Sequence, residues 1–219
     1  MSPFLHAFAF MGDNVRLLET KMQTHVVISV ESIAIAIAIA VPLGVFLGHL
    51  HRFSFVAINT SNIGRAIPSV ALLAILLPFI GIGHKPVIIA LVVLAVPPIL
   101  ANAYVAVDQV DSDTVDAAQG IGLRPWQVLT RVEMPLALPL IFAGIRTSAV
   151  FVVATATLLG IFGGGGLGDI VVNREGYGED GVLAATYLIL LLALVAFLFF
   201  AVVQWVLTPA GLRADSRAG

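Results

Sequence analysis

The chain has 219 residues, of which 59% are hydrophobic and 11% charged, with a mean hydropathy of +1.05. Soluble domains carry about 25% charged residues, so this composition describes an integral membrane protein. A helical crossing takes about 20 apolar residues, since backbone polar groups in lipid must bond internally, and the length therefore allows about five crossings and one sizeable loop. The formal net charge of −2 and pI near 6.2 leave no basic footprint for nucleic acid. The absence of cysteine excludes disulfides, thiolate metal sites and a cysteine nucleophile, without fixing the compartment.

Residues 1–21 are mixed in charge and do not read as a cleaved signal, and residues 1–24 form a short N-terminal segment. Phe4, Phe8 and Phe10 suggest an amphipathic segment lying at the interface, outside the core. The first crossing is expected over 26–47. Its stretch 33–40 alternates Ile and Ala like a strand, but an isolated strand in lipid leaves its edges unpaired, and the run continues through Pro42 and Gly44 to helical length. Further crossings are expected over 66–81, 86–107, 138–161 and 182–207. Prolines 42, 68, 78, 97, 98 and 139 are tolerated where neighbouring spans re-satisfy freed carbonyls.

The largest polar insert, 108–137, separates the third and fourth crossings. Asp111-Ser112-Asp113-Thr114 supplies N-cap candidates for a helix with Asp116 in its first turn, where a carboxylate complements the dipole. Gly120 and Gly122 mark a turn or a tight contact. Arg124-Pro125-Trp126 then opens a second helix with Pro125 at an early position. The expected product is a bent two-helix elbow, against the plainer reading of a solvated loop.

Other polar features are sparse. Glu31 and Arg146 lie within or beside apolar segments, where charges are costly; Glu31 fits a functional or an interfacial role equally, and Arg146 fits snorkelling to the interface. Asn102 and Tyr104 either face a pathway or join helices. Residues 163–168 formally satisfy G-x-G-x-x-G, with Asp169 following, but they come after a span-length apolar run rather than a strand, and read better as a turn or a gating element. His49 and His51 flank one residue and read as having no carboxylate or cysteine support, which disfavours a metal site. There is no G-x-x-x-x-G-K-[ST] motif, so the chain is read as unable to hydrolyse ATP alone, and no H-E-x-x-H or G-x-S-x-G, which weakens the reading as an intramembrane hydrolase.

Asp116-Ala117-Ala118, Gly122 and the later Val132-Glu133-Met134-Pro135 resemble the E-A-A-x-x-x-G-x(9)-I-x-L-P signature of permease subunits of bacterial ABC importers, with Asp116 where the signature has Glu. Segments 67–73, 81–86, 138–147 and 165–169 are similar to the osmoprotectant (glycine betaine, choline, carnitine) permeases of that superfamily. The resemblance implies an all-α membrane protein of the type I importer permease fold, in a single domain over 1–219. Asp116, Ala117, Ala118, Gly120, Gly122, Arg124 and Pro135 would then couple to a cytoplasmic ATPase. Glu31, Pro68, Ser69, Asn102, Tyr104, Gly165, Gly166 and Gly168 are the candidates for the pathway or its gate.

The resemblance also implies a second permease chain, identical or paralogous, and an extracytoplasmic binding protein. ATP and magnesium would be held by the ATPase, with no cofactor in this chain. The resemblance further implies a multi-pass protein of the bacterial inner membrane, and the Arg and Lys bias agrees with an N-terminus outside and a C-terminus in the cytoplasm. The alternatives are an importer for another small solute, such as a methionine-type system, a membrane-embedded enzyme, and a passive channel.

Overall fold

The structure is a computed structural model, and it describes residues 3–51 and 68–209. These residues fold as helices joined by short turns, with no strand among them. Helix α1 (Pro3–Asp13) runs almost directly into α2 (Val15–His49). Asn14 joins them: its amide nitrogen and its side-chain Nδ2 both donate to the Phe10 carbonyl at 3.0 Å. There follow α3 (Ser69–Ile80), α4 (His84–Asp108), α5 (Ser112–Gly120) and α6 (Pro125–Val128). A π turn, Leu129–Glu133, leads from α6 into α7 (Met134–Thr155), which ends in a 3-10 turn, Ala156–Gly160. Short α8 (Gly168–Val172) and long α9 (Arg174–Leu207) complete the fold.

Among the described residues, α2, the stretch Pro125–Leu158 and α9, at 35, 34 and 34 residues, together with the 25-residue α4, are long and apolar enough to cross a membrane. The crossing expected over 66–81 appears as α3, which has only 12 residues. At 1.5 Å per residue that is roughly 18 Å, short of a hydrocarbon core of about 30 Å. Residues 66 and 67 lie outside the described residues. Pro68 is not within the helix but is its N-cap, in an extended conformation, and its carbonyl accepts from the Leu72 amide at 3.0 Å.

The Ile–Ala alternation in α2 is resolved by burial. Ile33, Ala36 and Ala40 are buried while Ile35 and Ile39 are exposed, which is the 3.6-residue period of a helix rather than the two-residue period of a strand. Prolines 42, 97, 98 and 139 sit inside membrane-length helices, which tolerate them, and Pro78 sits inside the short α3.

The chain packs as two compact units. The first comprises Met1–Ile35, Ile67–Ala95 and Ala149–Phe197, and the second Ala36–Ala66, Val96–Ser148 and Leu198–Gly219. In the first, Leu18, Leu167, Ile170 and Ala185 form a buried cluster against which Phe10 and Met22 pack. The expectation that residues 1–24 stay outside the core is therefore not met. Ala7 and Leu18 are buried, and Phe8 stacks on Tyr187 with ring centroids 6.2 Å apart. The mixed charge of that segment concealed an apolar helix face.

In the second unit, Gly44 and Gly48 let α2 cross α4 at close range. A Cβ on Gly44 would lie 2.6 Å from the Leu100 carbonyl oxygen, and one on Gly48 would lie 2.7 Å from that of Tyr104. Their spacing is the small-x-x-x-small pattern by which membrane helices approach backbone to backbone, where lipid supplies no hydrophobic drive for association.

Candidate functional site

The polar insert folds into the expected elbow, and each bend has a local cause. Asp111 is the N-cap of α5: its carboxylate accepts from the Thr114 amide at 3.1 Å and from the Thr114 hydroxyl at 2.8 Å. The hydroxyl first, then the amide, hold the Asp111 carboxyl below its ordinary value. The acidic residue in the first turn is Asp113, so Asp116, expected there, lies one turn further on.

At the other end of α5, the Gly122 amide donates to Gln119 O at 2.9 Å and the Leu123 amide to Ala118 O at 3.2 Å, with Gly122 at φ +91°. That is a Schellman C-cap, which closes the helix with a left-handed residue. Pro125 then occupies the first turn of α6, and the Arg124 amide donates to Gln127 Oε1 at 2.9 Å.

The candidate coupling residues are brought onto this one element. Asp116, Ala117, Gly120, Gly122 and Arg124 are exposed, Ala118 is buried, and Pro135 is half-buried at the start of α7. Close packing at Gly120 and Gly122 within the chain is not observed: a Cβ at either position meets nothing within 4 Å. Gly122 is required by its positive φ, not by a neighbour. The sequence reading did not give weight to two apolar side chains carried on this polar elbow, Ile121 at 82% exposure and Trp126 at 70%.

The base of the elbow is tied to α2. Glu133, the last residue of the π turn, is 1% exposed, and His49 Nδ1–H donates to its Oε2 at 2.6 Å. His51 Nδ1–H donates to Asp108 Oδ1 at 3.1 Å, on the surface. The histidines thus do have carboxylate partners, contrary to the sequence reading; those partners lie 84 and 57 positions away. Among the described residues no three such groups converge in a way that could hold a metal ion.

Of the pathway candidates, Asn102 and Tyr104 lie in the second unit and Glu31, Pro68, Ser69, Gly165, Gly166 and Gly168 in the first. Asn102 Nδ2 donates to the Pro98 carbonyl at 2.8 Å, and the Asn102 side chain packs on Gly144, where a Cβ would lie 2.5 Å from Asn102 Cβ. Tyr104 is buried, and its backbone lies at the Gly44 and Gly48 crossing. Glu31 is exposed, Pro68 is exposed, and Ser69 is half-buried. Missed altogether was a polar stripe inside α2: His25 Nε2–H donates to Val153 O at 2.9 Å, and Ser29 Oγ donates to His25 O at 2.8 Å, all buried.

The glycine-rich segment is a tight turn following a 3-10 turn, without the strand that a dinucleotide site needs. Gly163, Gly165 and Gly166 have φ of 66°, 80° and 78°. Gly168 is required for space instead, since a Cβ there would fall 1.9 Å from Thr157 O. Next to it, Lys21 Nζ donates to Asp169 Oδ2 at 2.5 Å, pinning the turn to the start of α2.

The membrane-length helices and the single capped polar elbow fit a transport permease, and the chain belongs to the family of binding-protein-dependent transport system inner membrane components, which matches residues 40–208. The chain is 36% identical over 211 residues to the carnitine transport permease protein OpuCB of Listeria monocytogenes, a match covering 96% of this chain and 97% of that protein. It is 36% identical over 209 residues to the choline transport system permease protein OpuBB of Bacillus subtilis (strain 168), covering 95% and 96% of the two chains. In fold it is similar to a chain of the MetNI methionine ABC transporter in an inward-facing conformation. There the TM-score is 0.79 and the identity 23%, over 90% of this chain and 99% of that one. The expected type I importer permease fold is borne out.

Proposed function

We propose that this chain is the membrane subunit of an ATP-driven importer for osmoprotectants such as glycine betaine, choline or carnitine. The observation that carries the reading is the elbow. A folded, capped, otherwise polar element presents Ile121 and Trp126 largely exposed, and large apolar and aromatic side chains are what the cores of protein interfaces bury. The partner in this reading is a cytoplasmic ATPase that holds ATP and magnesium; its closure pushes the elbows of two permease chains and switches the pathway between outward and inward access. Such coupling requires that the two conformations differ in their contacts with the partner.

An extracytoplasmic binding protein delivers the solute and sets most of the selectivity, since trimethylammonium groups suit aromatic cages. The near full-length likeness to permeases named for carnitine and choline supports the substrate class.

Vesicles containing this chain, its ATPase and its binding protein are expected to accumulate labelled betaine, choline or carnitine only when ATP and both partners are present. Methionine uptake without quaternary ammonium uptake would overturn the substrate class but leave the permease reading intact. Uptake without ATP would favour a channel.

In the same reading, 108–135 is cytoplasmic and 163–180 lies outside. Because the chain has no cysteine, single cysteines report the orientation. An impermeant thiol reagent applied to intact cells is expected to label position 176 and spare position 119, and the reverse pattern would invert the topology.

A further inference from the structure

We propose that His49 and Glu133 are a positioning pair that transmits movement of the elbow to α2, with His51 and Asp108 as its surface counterpart. The inference deepens the reading of 108–137 as the motor-docking insert and rests on it. Its basis is the placement of two histidine–carboxylate contacts. The insert leaves α4 at Asp108 and enters α7 after Glu133, and both of these carboxylates are held by histidines at one end of α2. The elbow is therefore anchored at both of its roots to a single helix terminus.

The two contacts differ in strength. Glu133 is 1% exposed, so its carboxyl group cannot exchange its partner for water, and losing His49 leaves it buried and unpaired. His51 and Asp108 are substantially solvent-accessible and contribute mainly direction. Local backbone supports the arrangement. His51 has φ +48°, a left-handed conformation that side-chain-bearing residues seldom take, and its amide donates to Gly48 O at 2.9 Å. This terminates α2 where the ring reaches Asp108. Glu133 closes a π turn, a geometry that re-aims side chains and recurs at functional sites. At the same end of α2, Gly48 holds the helix against α4. A displaced elbow thus moves its roots, and the buried pair passes that displacement to α2 instead of dissipating it in a loop.

The test uses the full chain assembled with its ATPase in lipid vesicles, carrying a nitroxide on a cysteine introduced at Leu43, an exposed position of α2. Adding ATP is expected to change the nitroxide spectrum. Glu133→Met, which keeps side-chain volume, and His49→Leu should each reduce that change about fivefold or more. Glu133→Gln, which keeps an acceptor for Nδ1–H, should retain most of it. The double substitution should be no worse than either single one, as expected for groups acting as a unit. Co-purification of the ATPase should be unchanged throughout.

The proposal is overturned by an unaltered ATP response in Glu133→Met. A loss of response that merely follows loss of assembled complex, or the absence of any ATP response at position 43 in the parent, also overturns it. The docking reading has its own control. Gly122→Trp should abolish co-purification, and normal recruitment of the ATPase by that variant would refute the elbow as docking site, whatever position 43 reports.

Discussion

Gly168→Val is expected to give little folded subunit, and Gly168→Ala to lower thermal stability markedly. A Cβ at 168 would lie 1.9 Å from Thr157 O, 2.7 Å from its carbonyl carbon and 3.0 Å from its Cα. All three atoms are backbone, so no rotamer change relieves the clash, and either the 3-10 turn or α8 must move. The contact is two-sided: a Cβ on Gly160 would meet Gly168 O at 2.2 Å. Overpacking usually costs about 1–3 kcal/mol, and a backbone clash belongs at or above the top of that range. The cost spreads, because Leu167 and Ile170 on either side of Gly168 belong to the buried cluster. Thermal unfolding of the purified subunit in detergent decides the matter, with Gly12→Ala as control, since a Cβ at Gly12 meets nothing within 4 Å. A Gly168→Val protein as stable as the parent would mean that the turn is not packed as described.

The second large effect is expected at the crossing of α2 and α4. Gly48→Leu places a side chain 2.7 Å from Tyr104 O and 2.9 Å from Val107 Cβ, and forces the helices apart over a full turn. Lipid gives separated helices apolar surroundings as good as those they leave, so little opposes the separation except lost packing. A cost of about 2–3 kcal/mol is expected. Transport should fall further than stability does, because the terminus carrying His49 moves with the helix. Measuring unfolding and ATP-driven uptake side by side tests this, and unchanged uptake in Gly48→Leu would refute the close crossing. Gly44→Leu should behave alike, given its 2.6 Å approach to Leu100 O.

The parts of this structure that could be read from the sequence are those determined locally. Apolar length marked α2, α4, α7 and α9, and cap chemistry marked the elbow, because Asp111, Gly122 and Pro125 act on backbone only a few residues away. What escaped depends on partners distant in sequence. His49 looked unsupported because Glu133 arrives through the fold, Gly44 looked like an ordinary residue of an apolar span, and Gly48 fell just past the expected end of that span, although both meet α4. The early start of α2 was hidden for a different reason: Phe4, Phe8 and Phe10 suggested a separate interfacial segment, while Leu18 and Met22, set among the charged Arg16, Glu19 and Lys21, carry the core contact. The short α3 escaped because hydropathy measures apolar character, not where a helix begins.

The π turn at Leu129–Glu133 has a consequence for how the elbow is aimed. Each residue of an α-helix advances the chain by about 100° around the axis, and a π turn takes up one residue beyond that rhythm. Pro125–Leu158 forms one 34-residue span, so the π turn acts as a phase shift between its two ends. The direction in which Trp126 faces, relative to the membrane-embedded part of α7, is thus set by how many residues lie between them more than by which residues they are.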